Sequence, residues 1–210
     1  MNSNSTDLVA ISGAKGFVGK KLRKFLSQHN IQSIPISRTN FDKNQFPQLK
    51  KVTHFVHLAG IGSESIEQKF QNVNIETTKT VIELCKKNRI KKIIYFSGLG
   101  VSKNSRSSYF ISKFNAEQLI KNSGLQYTIF RPSYIVGKDD YLTKNISKQI
   151  SKNQVLIPGS GKFLLQPISI LDVCSCINVA LNSPKFSNKI IDLVGPVSYT
   201  HLTLPTTPYV

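Results

Sequence analysis

Residues 11–19 read ISGAKGFVG, with glycines at every third position directly behind an apolar run. In a strand–turn–helix each glycine has its own reason to be there. Gly13 permits the sharp turn, Gly16 lets backbone approach a pyrophosphate, and Gly19 lets the next helix lie close to the sheet. The helix would then offer unpaired N–H groups and the positive end of its dipole to phosphate oxygens. The spacing is GxxGxxG (Gly13, Gly16, Gly19) and not the GxGxxG of the usual dinucleotide fingerprint. A triplet of this kind standing alone is equally a tight turn, so its flanks decide the reading.

Those flanks alternate between strand and helix signals. LVAIS (8–12) reads as a strand, followed after the glycines by a helix with Val18, Leu22, Phe25 and Leu26 on one face. IQSIPIS (31–37) and VTHFVHLAG (52–60) are further strands, with an abbreviated helix between them around TNFD. A helix over 74–88 carries Ile75, Thr78, Val81, Ile82 and Cys85. KKIIYFSG (91–98), a helix over 109–122 with Phe110, Ala116, Leu119 and Ile120, and LQYTIFRP (125–132) follow. Strands joined by helical crossovers bury both sheet faces, which predicts an α/β fold with a doubly wound, parallel Rossmann-type sheet. Beyond Pro132 the rhythm changes. GKDDY leads to a helix bearing Leu142, Ile146 and Ile150, then a short VLIPGSG strand and turn, LQPISILDV, a helix over 171–182 and a strand over 189–195.

The expected organisation is a disordered N-terminus over 1–7, a dinucleotide-binding core over 8–132, and the start of a smaller substrate region with a returning strand over 133–196. The tail SYTHLTLPTTPYV (198–210) has no helical period or apolar alternation, and it resembles translated sequencing-adapter read-through. We therefore expect 197–210 to be non-native and the natural chain to be longer.

Composition narrows the function classes. A 40% hydrophobic content supports a real core. The opening MNSNSTD lacks the apolar segment of a signal peptide, and no stretch approaches the roughly 18 apolar residues of a membrane helix, so a cytoplasmic location is expected. Three cysteines (Cys85, Cys174, Cys176) do not make a disulfide framework, and Cys174 and Cys176 point to different sides of one helix. Four scattered histidines and no CxxC pair argue against a metal site. The net charge of +17 admits an anionic partner, but its lysines are dispersed over outer helix faces with no aromatic-interleaved stripe. A solvated basic surface is the favoured reading, and nucleic acid is not an expected partner.

GAKGFVGKKL, VHLAG (56–60), Tyr109-x-x-x-Lys113, FRPSYIVG (130–137) and QPISILDV together resemble the extended short-chain dehydrogenases, which include the NAD(P)-dependent epimerases and dehydratases. The likeness covers residues 8–196. It is strongest to an atypical branch similar to the NAD(P)-binding accessory subunit of respiratory complex I. The resemblance implies a nicotinamide dinucleotide held by Gly13, Lys15, Gly16, Phe17, Val18 and Gly19, then by Ser37 and Arg38, and by Leu58, Ala59 and Gly60. Asn74, Lys113, Arg131 and Pro132 complete the implied set. It also implies a small-molecule substrate, either nucleotide-sugar-like or another carbonyl or hydroxyl compound, and a homodimer or protein complex.

Ser37-Arg38 closes the second strand with no acid to accept from a ribose 2′-OH, while an arginine fork suits a 2′-phosphate, so NADP is expected over NAD. Tyr109 and Lys113 lie four apart on one helix face, where an ammonium favours phenolate and a tyrosine can pass a proton to a substrate oxygen. In the family a hydroxyl after the preceding strand polarises that oxygen. Ser97 is the candidate and Ser102 a second, but the position one past Ser97, where the family often carries the hydroxyl, is Gly98. That departure keeps a non-catalytic dinucleotide-binding module open as the alternative to an oxidoreductase. Asn74 is either a site asparagine or a helix N-cap, Arg131 either a contact or a shaper of the substrate loop, and Asp172 either an organiser of the lid region or, as favoured, a helix cap.

Overall fold

The structure is a computed structural model that describes residues 8–153 and 165–197. Six parallel strands form one sheet in the order β2-β1-β3-β4-β5-β8. They are β1 (Leu8–Ser12), β2 (Gln32–Ile36), β3 (His54–His57), β4 (Lys92–Phe96), β5 (Gln126–Pro132) and β8 (Lys189–Leu193). The helices are α1 (Phe17–Gln28), α2 (Arg38–Asp42), α3 (Thr77–Lys87), α4 (Ser108–Lys121), α5 (Tyr141–Ile150) and α6 (Ile170–Asn182). β6 (Ile135–Val136) and β7 (Ile168–Ser169) pair in a separate two-stranded sheet.

Alternation along the strands builds two cores. Val9 and Ile11 of β1, Ile94 and Phe96 of β4 and Phe130 of β5 face Leu22 and Leu26 of α1 and Val173, Cys174 and Ile177 of α6. Ala10, Phe55, Ile93, Tyr95 and Ile129 point the other way, onto Val81 and Cys85 of α3 and Ala116 and Ile120 of α4. Burial on both faces is why the strands read as near-continuous apolar runs. Chain order reverses between β1 and β3, and in open α/β sheets the crevice at such a switch point, beyond the carboxyl ends of the strands, is where ligands bind.

Several boundaries differ from the sequence reading. β3 ends at His57, because Leu58–Gly60 leave the ladder to border the crevice. The helix expected over 74–88 begins earlier, as a π-helical turn (Gln71–Glu76) running into α3. Asn74 is therefore inside a helix and is not an N-cap. Ser169 caps α6 by accepting from the Leu171 N–H, which leaves Asp172 in the first turn and not at the cap. On α5, capped by Asp140, none of Leu142, Ile146 and Ile150 is buried. The segments 1–7, VLIPGSG (155–161) and 198–210 lie outside the described residues.

Candidate active site

Gly13 has φ +70°, and a Cβ there would stand 2.8 Å from the Ala59 nitrogen and the Leu58 carbonyl carbon. Only a glycine lets the end of β1 pass this close to the loop after β3. A Cβ on Gly19 would strike the Gly13 carbonyl oxygen and come within 2.7 Å of Ala14 Cα, so α1 sits against the loop only without a side chain there. Gly16 is the N-cap of α1, and its N–H donates to Gly13 O at 2.9 Å. No side chain caps this helix, and its first-turn N–H groups have no intrahelical acceptor.

Gly13, Lys15 and Gly16 open onto a groove of about 820 Å³ that continues past Ser37 and Arg38 to Leu58, Ala59 and Gly60. Arg38 is exposed and its Nη2 donates to Gln68 Oε1 at 3.2 Å. The Ser37 hydroxyl donates to Asn40 Oδ1 within a capping box that starts α2. Asp42 and Glu67 also line this groove.

A cleft of about 370 Å³ adjoins the groove through Leu58 and Gly60, and it gathers Phe17, Val18, Ser97, Gly98, Tyr109, Lys113 and Pro132. Phe17 and Pro132, 115 positions apart in sequence, meet here because the ends of β3, β4 and β5 and the starts of α1 and α4 share one edge of the sheet. Lys113 is 6% exposed, donates from Nζ to the Phe96 carbonyl at 3.0 Å, and stands 5.0 Å over the Tyr95 ring. Burial pulls its pKa down to about 8, against the opposing charge of Glu117 one turn on. Tyr109 packs against Phe70 and Phe110, and burial raises its pKa. The phenol is thus raised by desolvation, and not lowered by Lys113 as the helix spacing predicts. The Ser97 hydroxyl is buried and, among the described residues, without a hydrogen-bond partner.

Asn74 is 1% exposed and serves this cleft from the π turn. Its Oδ1 accepts from the Ile61 N–H at 3.0 Å, and its Nδ2 donates to Ser112 Oγ at 2.9 Å. A Cβ on Gly60 would lie 3.0 Å from Lys113 Nζ and 3.1 Å from Asn74 Oδ1, so the loop, the asparagine and the lysine close on one point. Three of the implied cofactor residues, Gly19, Asn74 and Arg131, line neither the groove nor the cleft, and the Arg131 fork is occupied by Glu117. Glu117 was passed over in the sequence, although its i+4 spacing from Lys113 marks it as sharing that buried face. His57 and Thr78 are further buried polar members of this region that the strand and helix patterns do not distinguish from core positions.

The family model for the NAD dependent epimerase/dehydratase family matches residues 9–193. The chain belongs to that family. Among its relatives is the mitochondrial NADH dehydrogenase [ubiquinone] 1 alpha subcomplex subunit 9 of Dictyostelium discoideum, 26% identical over 94% of this chain. The chain spans 62% of that relative's length. Similar solved structures include MoeE5 in complex with UDP-glucuronic acid and NAD, at TM-score 0.77 and 17% identity, covering 91% of this chain and 78% of that one. The UDP-glucuronic acid 4-epimerase of Bacillus cereus superposes with TM-score 0.75 at 20% identity, covering 93% and 80%. These likenesses establish the epimerase/dehydratase fold. Among the described residues no helix is long and apolar enough to cross a membrane, and no group of three or more His, Cys, Asp or Glu residues gathers to hold a metal.

Proposed function

We propose that this chain binds a nicotinamide dinucleotide, NADP in preference to NAD, and exchanges a proton between Tyr109 and an oxygen of a small carbonyl or hydroxyl substrate. The observation that carries the reading is the convergence of Tyr109, Lys113 and the unpartnered Ser97 hydroxyl in a cleft continuous with the glycine-loop groove. The residues present fit such a group, since Gly13 and Gly19 keep side chains out of the cradle and Ser97 has a hydroxyl to donate. When bound, the nicotinamide would supply the hydride donor or acceptor. Gly16 and the first turn of α1 would hold the pyrophosphate, and Arg38 would meet a 2′-phosphate. Lys113 would hold the ribose, Tyr109 would pass its proton to or from the substrate oxygen, and Ser97 would orient that oxygen. A nucleotide-sugar-like substrate is the leading class, supported by the family and by the ligands of the solved relatives.

A second reading rests on Gly98, which stands where the family often carries its hydroxyl, and on the likeness to a subunit of NADH dehydrogenase. In that reading the chain holds the dinucleotide as a structural or redox-sensing part of a protein complex. Paired titrations with NADPH and NADH, followed by a carbonyl-substrate panel on wild type and Tyr109→Phe, separate the two. Turnover that Tyr109→Phe abolishes supports the enzyme. Equal dinucleotide binding by both proteins with no turnover supports the module. Tighter NAD than NADP binding overturns the cofactor preference and passes the ribose hydroxyls to Asp42 or Glu67.

A further inference from the structure

His57 is fully buried at the end of β3 and belongs to none of the roles above. Both of its ring nitrogens are engaged, Nδ1 with Ser12 Oγ at 2.6 Å and Nε2 with Thr78 Oγ1 at 3.0 Å. The partners settle the tautomer. The Thr78 hydroxyl gives its one proton to the Asn74 carbonyl at 2.7 Å, so it can only accept from His57, which must carry its proton on Nε2. Nδ1 is then a lone pair that accepts from the Ser12 hydroxyl, and Ser12 Oγ remains free to accept the Ala59 N–H at 3.3 Å. Every member of the chain has one consistent role, running from Ala59 through Ser12, His57 and Thr78 to Asn74.

The two ends of this chain hold the same loop. Ala59 is tied through Ser12, and Ile61 is tied by the Asn74 side chain through its N–H at 3.0 Å and its carbonyl at 3.3 Å. Asn74 also reaches Ser112, whose hydroxyl donates to the Tyr109 carbonyl at 2.7 Å. The clamped loop lines both the glycine-loop groove and the Tyr109 cleft.

The geometry points to His57 as a positioning residue that, as the neutral Nε2–H tautomer, clamps the Leu58–Ile61 loop and fixes the dinucleotide groove relative to the Tyr109 helix. A charged imidazole could not serve, because Nδ1 would become a donor and Ser12 would lose the acceptor for its own proton. The functional half of this assignment rests on the dinucleotide reading above, whereas the clamp itself does not.

The test uses Thr78→Val, which removes the hydroxyl, and Thr78→Ser, which keeps it. In wild type at neutral pH, 15N NMR of the His57 ring should show the proton on Nε2. Thr78→Val should speed amide hydrogen exchange at Ala59 and Ile61 while β4 and β5 amides keep their protection, and Thr78→Ser should restore it. NADPH affinity should fall about three- to tenfold in Thr78→Val, the loss expected for one buried hydrogen bond, and recover in Thr78→Ser. If Thr78→Val does not fold, His57→Gln takes its place in the exchange comparison. An Nδ1–H tautomer, or Ala59 and Ile61 exchange that is the same in all folded variants, overturns the assignment. A wild-type chain that binds neither dinucleotide overturns the cofactor reading instead, and the tautomer and exchange results then decide the clamp alone.

Discussion

Glu117, fully buried on α4, receives both Nε and Nη2 of Arg131 from β5, at 2.9 and 2.6 Å. The pair fastens the helix bearing Tyr109 and Lys113 to the strand behind it. Two parallel charged hydrogen bonds fix distance and orientation together, which an apolar contact would not. Removing one partner leaves the other as an uncompensated charge. Arg131→Met should destabilise the fold by about 3–5 kcal/mol in urea denaturation. The double variant Glu117→Leu/Arg131→Met should lose less than Arg131→Met alone, since the carboxylate goes with its partner and Lys113, deprived of the Glu117 charge, can shed its proton. A double variant that is less stable than the single one would refute this account.

Gly19→Ala places a methyl group against the Gly13 carbonyl and Ala14 backbone, neither of which is a flexible side chain end. Overpacking of this kind costs about 1–3 kcal/mol. The relief available is a shift of α1 away from the loop, which would disorganise the proposed phosphate cradle. Dinucleotide affinity should therefore fall by more than the stability loss predicts, as measured by calorimetric titration beside thermal melting.

Gly98→Ser tests whether the missing hydroxyl limits the chemistry. A Cβ at this position meets Tyr109 Oη and Phe110 Cε1 at 3.6 Å, which is ordinary contact. The variant should fold with stability within about 1 kcal/mol of wild type. If the chain is an enzyme, turnover of the carbonyl panel should rise over wild type, and adding Tyr109→Phe should cancel the gain.

Acid should weaken the fold through His57 before most carboxylates titrate. Burial, helped by the Lys113 charge, lowers its pKa from 6.5 to about 3. Below 6.5 the unfolded chain takes up a proton that the folded chain refuses, so this contribution is intact above 6.5 and is lost as pH falls toward 3. The slope is about 1.4 kcal/mol per pH unit for one proton. Denaturation curves between about pH 6 and 5 should show it, and His57→Gln should flatten it.

How far the sequence could be read depends on whether a feature is local. The β1–glycine loop–α1 unit is legible because its apolar alternation, its glycine needs and its helix face all arise within some twenty consecutive residues. The Tyr109–Lys113 spacing is legible for the same reason. Asn74 was ambiguous because a π-helical turn starts three residues before it, and no local propensity announces such a turn. Arg131 could be placed at the sheet edge, but the partner that occupies its fork is fourteen residues away on another element. The raised pKa of Tyr109 is not legible in the sequence, because spacing on a helix reveals the nearby charge and conceals the burial.

The sequence by itself therefore determined the parallel sheet, the glycine loop and the helix that presents Tyr109 and Lys113, since each is encoded in short-range periodicity and turn chemistry. The tertiary structure alone decided which polar side chains are sealed together. Ser12, His57, Thr78 and Asn74 come from β1, β3, α3 and the π turn, and Glu117 meets Arg131 across α4 and β5. Hydrogen bonds of this kind act over about 3 Å in space and are indifferent to separation along the chain, so only the folded molecule could place them.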